Sequence, residues 1–252
     1  MQYFTNVYWS KGEVSAKNQD SALLLQALTA RGRILMAAVC DGMGGYPSGE
    51  LASGMVTAQL QQWFFDSLLR AIAKKKPFWV IRRSVERLVY QMQKCLQIYG
   101  KQEQRKLGTT MTVLILWEKR YLVFHLGDSC VYGFHRRWFG KEKIIKLTKG
   151  HLTQDNRLTK CVGSFGYFKP DYELGICCNG DGFLLCSDGF CRKIEETELA
   201  AGLSPGAIHE KRQIENRLVQ IALLGRKRGE TDNQTAIYVK VKEKQEEREG
   251  LL

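Results

Sequence analysis

Two long stretches of the chain carry apolar residues at a helical repeat, the first close to the helical period and the second at alternating spacings of three and four. From Gly49 to Ala73 the apolar positions are Leu51, Met55, Leu60, Trp63, Phe64, Leu68 and Ile72, which predicts a helix with Ser48 as its N-cap. A second helix opens at Pro77, repeats through Phe78, Ile81, Val85, Leu88, Met92, Leu96 and Tyr99, and stops at Gly100. These two are expected to pack as an antiparallel pair. A third is marked by Ser204 and Pro205 at its start, by Ile208, Ile214, Leu218 and Ile221 on one face, and by Gly225 at its stop. Short apolar runs bounded by turn residues predict strands over 21–28, 34–40, 111–117, 121–126, 183–186 and 235–241, with a hairpin tip at 118–120. Many strands with only three long helices, without strict alternation, argue for an α+β domain with antiparallel sheets and helices outside. One domain is expected over 1–242, followed by a polar tail at 243–252.

Composition narrows this little further. With 252 residues, 44% of them apolar, the chain is long enough for one substantial core. No N-terminal export signal and no membrane-length apolar run is present, so a cytoplasmic protein without membrane insertion is expected. The eight cysteines lie mostly in apolar runs without zinc-like spacing, which reads as buried reduced thiols. The net charge of +12 is concentrated between Arg70 and Lys106, where Lys74, Lys75, Lys76, Arg82, Arg83, Arg87 and other cations face only Glu86 and Glu103. Such a face suits nucleic acid, membrane phosphates or an acidic protein partner, although a merely solvated helix surface is the simpler reading.

The carboxylates change the picture more. Asp20, Asp41, Asp188 and Asp232 stand in KNQDS, VCDGMGG, LLCSDGF and ETDNQT, each beside a predicted strand. Any one Asp-Gly or Asp-Asn pair is an ordinary turn. Four acids converging at the mouth of a β structure, with backbone carbonyls nearby, are an oxygen-only donor set for Mg²⁺ or Mn²⁺.

At these residues the chain resembles the metal-dependent protein phosphatases of type 2C in their compact bacterial form. The ordered segments are NQD (18–20), VCDGMGGYPSGELAS (39–53), GTT (108–110), HLGDSCVY (125–132), LTKGH (147–151), LTKCVG (158–163), LLCSDGF (184–190) and TDNQTAI (231–237). The resemblance implies a four-layer α-β-β-α sandwich holding two Mn²⁺ or Mg²⁺ ions, which activate a hydroxide to hydrolyse phosphoserine and phosphothreonine in proteins. It makes Asp41 the shared ligand of both ions and adds the Gly42 carbonyl. Asp188 and Asp232 hold the second position, and Asp20 acts through water. Gly44 and Gly45 become spacers, with Glu50 opening the helix. Partners implied are the phosphorylated substrates of a Ser/Thr kinase.

The chain departs from the family pattern at several points. Ser15 stands where a phosphate-gripping arginine is usual, leaving Lys17 as the nearest cation. Gly150 replaces an aspartate associated with a third metal, and Asp155 is the nearest acid. Only residues 152–157 separate His151 from LTKCVG, a segment much shorter than the usual flap, and Cys130 replaces an arginine. Met43 sits where some relatives carry histidine, and the four histidines are assigned structural or surface roles. Gly127, Asp128 and Ser129 read as a turn between two strands, and Thr109 and Thr110 as the start of a buried strand. Two rival readings remain: a pseudophosphatase serving as a regulatory module, and nucleic-acid binding through the basic helices.

Overall fold

The computed structural model describes residues 1–14, 16–43, 48–136, 142–163 and 166–242. Ser15, Gly44, Gly45 and the tail at 243–252 lie outside them. The strands are β1 (Gln2–Ser10), β2 (Asp20–Thr29), β3 (Gly32–Asp41), β4 (Met111–Trp117), β5 (Arg120–Leu126), β6 (Cys130–Arg136), β7 (Glu142–Lys146), β8 (Asp171–Ile176), β9 (Gly182–Cys186) and β10 (Gln234–Lys242). They form two five-stranded sheets, ordered β1-β10-β9-β6-β7 and β2-β3-β4-β5-β8, with every strand pairing antiparallel. The helices are α1 (Gly49–Trp63), α2 (Leu69–Ala73), α3 (Phe78–Gln102), α4 (Asp188–Cys191), α5 (Glu196–Gly202) and α6 (Lys211–Lys227).

Alternation along the central strands explains why they read as unbroken apolar runs. In β3, Ile34, Met36, Ala38 and Cys40 pack under α1, α2 and α3, while Leu35, Ala37 and Val39 point into the core between the sheets. β10 does the same on the other side: Ala236 and Tyr238 meet α6 and its neighbours, and Ile237, Val239 and Val241 join the inter-sheet core. Three apolar layers therefore separate four layers of secondary structure, as the resemblance implies.

Boundaries depart from expectation for identifiable reasons. The helix expected over 49–73 is one rod interrupted by a π-helical turn at Phe64–Leu68, which keeps both Phe64 and Leu68 buried. Ser48 occupies the N-cap position but in a left-handed conformation (φ 89°) and without a side-chain cap; its hydroxyl instead accepts from Arg105 Nη1 at 3.1 Å. That contact joins the start of α1 to the chain just past α3, and the turn at 74–77 joins the opposite ends, so the pair is antiparallel. Trp63 Nε1 donates to Ser84 Oγ across it at 3.1 Å. Pro77 lies one position before α3 rather than inside its first turn. Ser204 and Pro205 open only a 3-10 turn, Pro205–Ala207. The helix proper begins at Lys211, behind a reciprocal cap between Glu210 and Gln213, and continues through Gly225 to Lys227. Strands β1, β7 and β8 were not expected, and β6 only as the strand that follows the 127–129 turn; β1 and β8 are edge strands, and their alternation is blurred by exposed positions on both faces.

The basic face is real but partly self-engaged. Arg82 binds Glu86 at 3.0 Å and lies over the Tyr172 ring, Arg83 lies over Trp79, and Lys94 over Tyr90. Among the described residues no helix is long and apolar enough to cross a membrane. All eight cysteines are free, and six are buried as expected; Cys95 on α3 and Cys178, just past the end of β8, are exposed instead.

Candidate metal centre

Both sheets contribute to one acidic end of the sandwich. Asp20 opens β2 and Asp41 closes β3, and the two are direct cross-strand partners. On the other sheet β9 and β10 are antiparallel neighbours; Asp188 follows β9 at the start of α4, and Asp232 precedes β10. Ser187 N donates to Thr235 O at 2.9 Å, and Thr235 N returns a bond to Ser187 Oγ at 3.0 Å, locking these strand ends together. The halves are tied by Asn233, whose Oδ1 accepts from Gln19 N at 2.8 Å.

Asp41 is held by its backbone. Its N–H donates to Thr110 Oγ1 at 2.8 Å, and its carbonyl accepts from Thr110 N at 2.8 Å and from Thr109 Oγ1 at 2.9 Å. Thr110 Oγ1 also pairs with Ser129 Oγ at 2.9 Å, which couples Asp41 to the turn carrying Asp128. These threonines do more than begin a buried strand. Gly42 follows in a space with no room for a side chain: a Cβ there would lie 2.4 Å from Gly49 O and 2.6 Å from Gln19 O. The absence of a Cβ lets the backbone pass between β2 and the start of α1.

Like charges crowd this end. Burial, then Asp20, Asp188, Asp128 and Asp232, push the Asp41 carboxyl well above the usual range. Asp20 is only 3% exposed, and both its carboxylate oxygens lack a hydrogen-bond partner. Burial raises it to about 6; the hydroxyls of Thr235 and Ser187 lie close enough to offset part of that rise, while Asp188 and Asp232 add to it. Asp128, read from sequence as a turn residue, is raised to about 6 by burial and by Asp188, and so is a fifth member of the cluster. Gly150 abuts it, since a Cβ there would stand 3.8 Å from the Asp128 Cβ.

A buried carboxylate without a partner, among further carboxylates whose proton affinity is raised, is a site that gains from a cation, and its all-oxygen chemistry suits Mg²⁺ or Mn²⁺. As the side chains stand, no three His, Cys, Asp or Glu groups among the described residues are close enough to hold an ion together. A protein cation lies among them instead. Arg192 pairs with Asp188, reaches Asp232 Oδ2 at 3.4 Å and meets Glu230 at 3.3 Å. Burial works against its charge, but Asp188, Glu230 and Asp232 outweigh this and hold it more firmly protonated than usual. Glu230 is 4% exposed, and its Oε1 accepts the N–H groups of Thr231 and Asp232, each at 3.1 Å, which shapes the turn before β10. Sequence reasoning passed over both residues; the signals were an arginine four positions after Asp188 on a helical turn and an acid two positions before Asp232.

Lys17 is 73% exposed and ion-paired with Glu50 at 2.8 Å, near the start of α1. His151 is structural: its Nδ1 accepts from Gly127 N at 3.0 Å, its Nε2 meets Asp171 at 2.9 Å, and its ring stacks on His125 with centroids 5.0 Å apart. The short 152–157 segment is a compact turn closed by Thr153 N donating to Arg157 O at 2.8 Å.

Comparison with known proteins agrees with this architecture. The family model described as Protein phosphatase 2C matches residues 10–220. The chain is 27% identical over 202 residues to Protein phosphatase PhpP of Streptococcus pneumoniae, covering 75% of this chain and 79% of that one. It is also 27% identical over 246 residues to the Serine/threonine protein phosphatase PstP of Mycobacterium tuberculosis, covering 92% of this chain and 43% of that one. Among solved structures, Serine/threonine phosphatase Stp1 from Staphylococcus aureus superposes with TM-score 0.80 at 21% identity, covering 96% of both chains. The PstP catalytic domain in complex with two manganese ions superposes with TM-score 0.71 at 23% identity, covering 96% of this chain and 99% of that one. With the sandwich, the paired aspartates and a family match across most of its length, the chain belongs to the protein phosphatase 2C family.

Proposed function

We infer that this family member is a metal-dependent serine/threonine protein phosphatase that takes two Mn²⁺ or Mg²⁺ ions. The observation that carries the reading is Asp20, buried and unpartnered, facing across β2 and β3 an Asp41 that is itself crowded by Asp128, Asp188 and Asp232. When bound, such ions lower the pKa of water and neutralise charge on a phosphoryl group.

The chain's own groups divide the work. We assign Asp41 as the ligand shared by both ions, because the Thr109 and Thr110 bonds fix the end of its buried strand. The Gly42 carbonyl is assigned beside it, and Asp188 and Asp232 to the second position, supported by the β9–β10 pairing that sets them side by side. Asp20 acts through water and accepts a proton there, in keeping with its raised proton affinity. Lys17 offers a solvent-exposed point charge toward the substrate phosphate. The natural setting we propose is the cytoplasm, opposite a Ser/Thr protein kinase, with acidic partners meeting the 70–106 face.

A second reading, a regulatory module that keeps the fold without the chemistry, is favoured by Arg192 lying among the acids. Phosphate release from a phosphothreonine peptide separates the two. Turnover that requires Mn²⁺ and stops in EDTA supports the enzyme; no release by folded protein that binds Mn²⁺ supports the module.

A further inference from the structure

We propose that Arg192 is an internal cation that competes with a divalent ion for Asp188 and Asp232, so that metal loading and the position of this guanidinium are mutually exclusive. The inference rests on the metal-dependent reading above and adds a device that regulates loading. Its basis is geometric. Arg192 caps the C-terminus of α4, with its N–H donated to Asp188 O at 2.7 Å and its guanidinium paired with the Asp188 carboxylate. Nη2 is shared between Asp188 and Asp232 Oδ2, the two acids assigned to one metal position.

Nη1 faces a different group. It lies 3.3 Å and 3.4 Å from the two oxygens of Glu230, a buried carboxylate already fixed by the Thr231 and Asp232 N–H groups. Glu230 is thus a tether outside the proposed ligand set. The guanidinium can give up Asp188 and Asp232 and keep Glu230, which makes exchange with a metal ion a side-chain swing rather than an unfolding event.

Electrostatics gives the swing a purpose. Asp20, Asp41, Asp128, Asp188 and Asp232 gather like charges at one end of the sandwich, with Asp20 buried and Asp188 and Asp232 partly open to solvent, where Arg192 reaches them. A built-in monovalent cation relieves this repulsion whenever no divalent ion is bound. It also sets a threshold, because an entering ion must outcompete a charge-assisted pair before the carboxylates can draw together.

The test is calorimetric titration of Mn²⁺ into the full chain, comparing wild type, Arg192→Gln, Arg192→Lys and a charge control. Arg31→Gln serves as the control, since Arg31 pairs with Glu118 beside the β2–β3 turn, remote from the acids, and removes the same charge. The proposal expects Arg192→Gln to bind Mn²⁺ about tenfold more tightly, equivalent to about 1.4 kcal/mol, with Arg192→Lys between it and wild type and Arg31→Gln unchanged. In EDTA, Arg192→Gln should melt below wild type, because the acids lose their counterion. Equal Mn²⁺ affinity in wild type and Arg192→Gln overturns the proposal and leaves the metal-dependent reading intact. An equal gain in Arg31→Gln overturns it too, by reducing the effect to net charge. Failure of every variant to bind Mn²⁺ overturns the metal-dependent reading itself.

Discussion

At the scale of single residues, acids and histidines respond to burial in opposite directions. Burial first, then the neighbouring His151 charge, lowers His125 to about 4. Its folded-state affinity for protons is therefore below that of the unfolded chain, so stability is complete above pH 6.5 and is lost as pH falls toward 4, by on the order of 3 kcal/mol. His125→Phe keeps a ring against His151 but gives up the Thr112 bond at 2.9 Å. The variant should be less stable than wild type at pH 7 and recover relative to it by about pH 4, as read from urea midpoints; a difference constant with pH contradicts this. Asp41, Asp188 and Asp232 were legible in the sequence because strand-end carboxylates beside glycine or a small polar residue stand out as a set. Asp128, Glu230 and Arg192 were not, since an acid in a turn, an acid after a helix and a cation four residues from an acid are each common on solvated surfaces. Only the folded arrangement shows that they share one end.

At the scale of elements, the rim of the site is held by a clamp invisible to periodicity. Gln93 is a buried polar residue on α3; its Nε2 donates to Gly163 O at 2.9 Å and its Oε1 accepts from Gly163 N at 2.7 Å. Thr109 and Val162 exchange both backbone bonds, so the 158–163 segment is fastened to α3 and to the chain that positions Asp41. Gln93→Leu should cost about 2 to 4 kcal/mol in urea unfolding, because both Gly163 groups lose their partner while buried. A loss below about 0.5 kcal/mol would show that the clamp carries no weight. The long helices and central strands were legible because one face of each meets a continuous apolar layer. The edge strands and the true start of α6 were not, since half-exposed positions on both faces of β1 and β8 erase the period and the Glu210–Gln213 cap lies six residues past the Ser-Pro signal. The π-helical turn inside 49–73 was not legible, because the apolar positions there only approximate a helical repeat, with five residues from Met55 to Leu60 and Trp63 adjacent to Phe64.

At the scale of the whole molecule, residues 1–242 are proposed to unfold as one unit, because the inter-sheet core draws residues from β1, β3, β4, β5, β6, β9 and β10 together. Calorimetry should give a single transition with matching calorimetric and van't Hoff enthalpies; two resolved transitions would divide the chain. We propose that the net charge of +12 adds a long-range preference for acidic phosphoproteins. KM for an acidic phosphopeptide should rise several-fold between about 0.05 M and 0.5 M salt with kcat little changed, whereas equal salt response for acidic and neutral peptides would remove the basic face from substrate choice. The central claim, that carboxylates at one end of the sandwich hold the ions that hydrolyse phosphoserine and phosphothreonine, meets its most direct test in Asp41→Asn. Phosphate release from a phosphothreonine peptide with Mn²⁺ should fall by on the order of a thousandfold or more, while the EDTA-treated variant melts at or above wild type because one buried like charge is gone. Release within a few-fold of wild type by the folded variant would contradict the account.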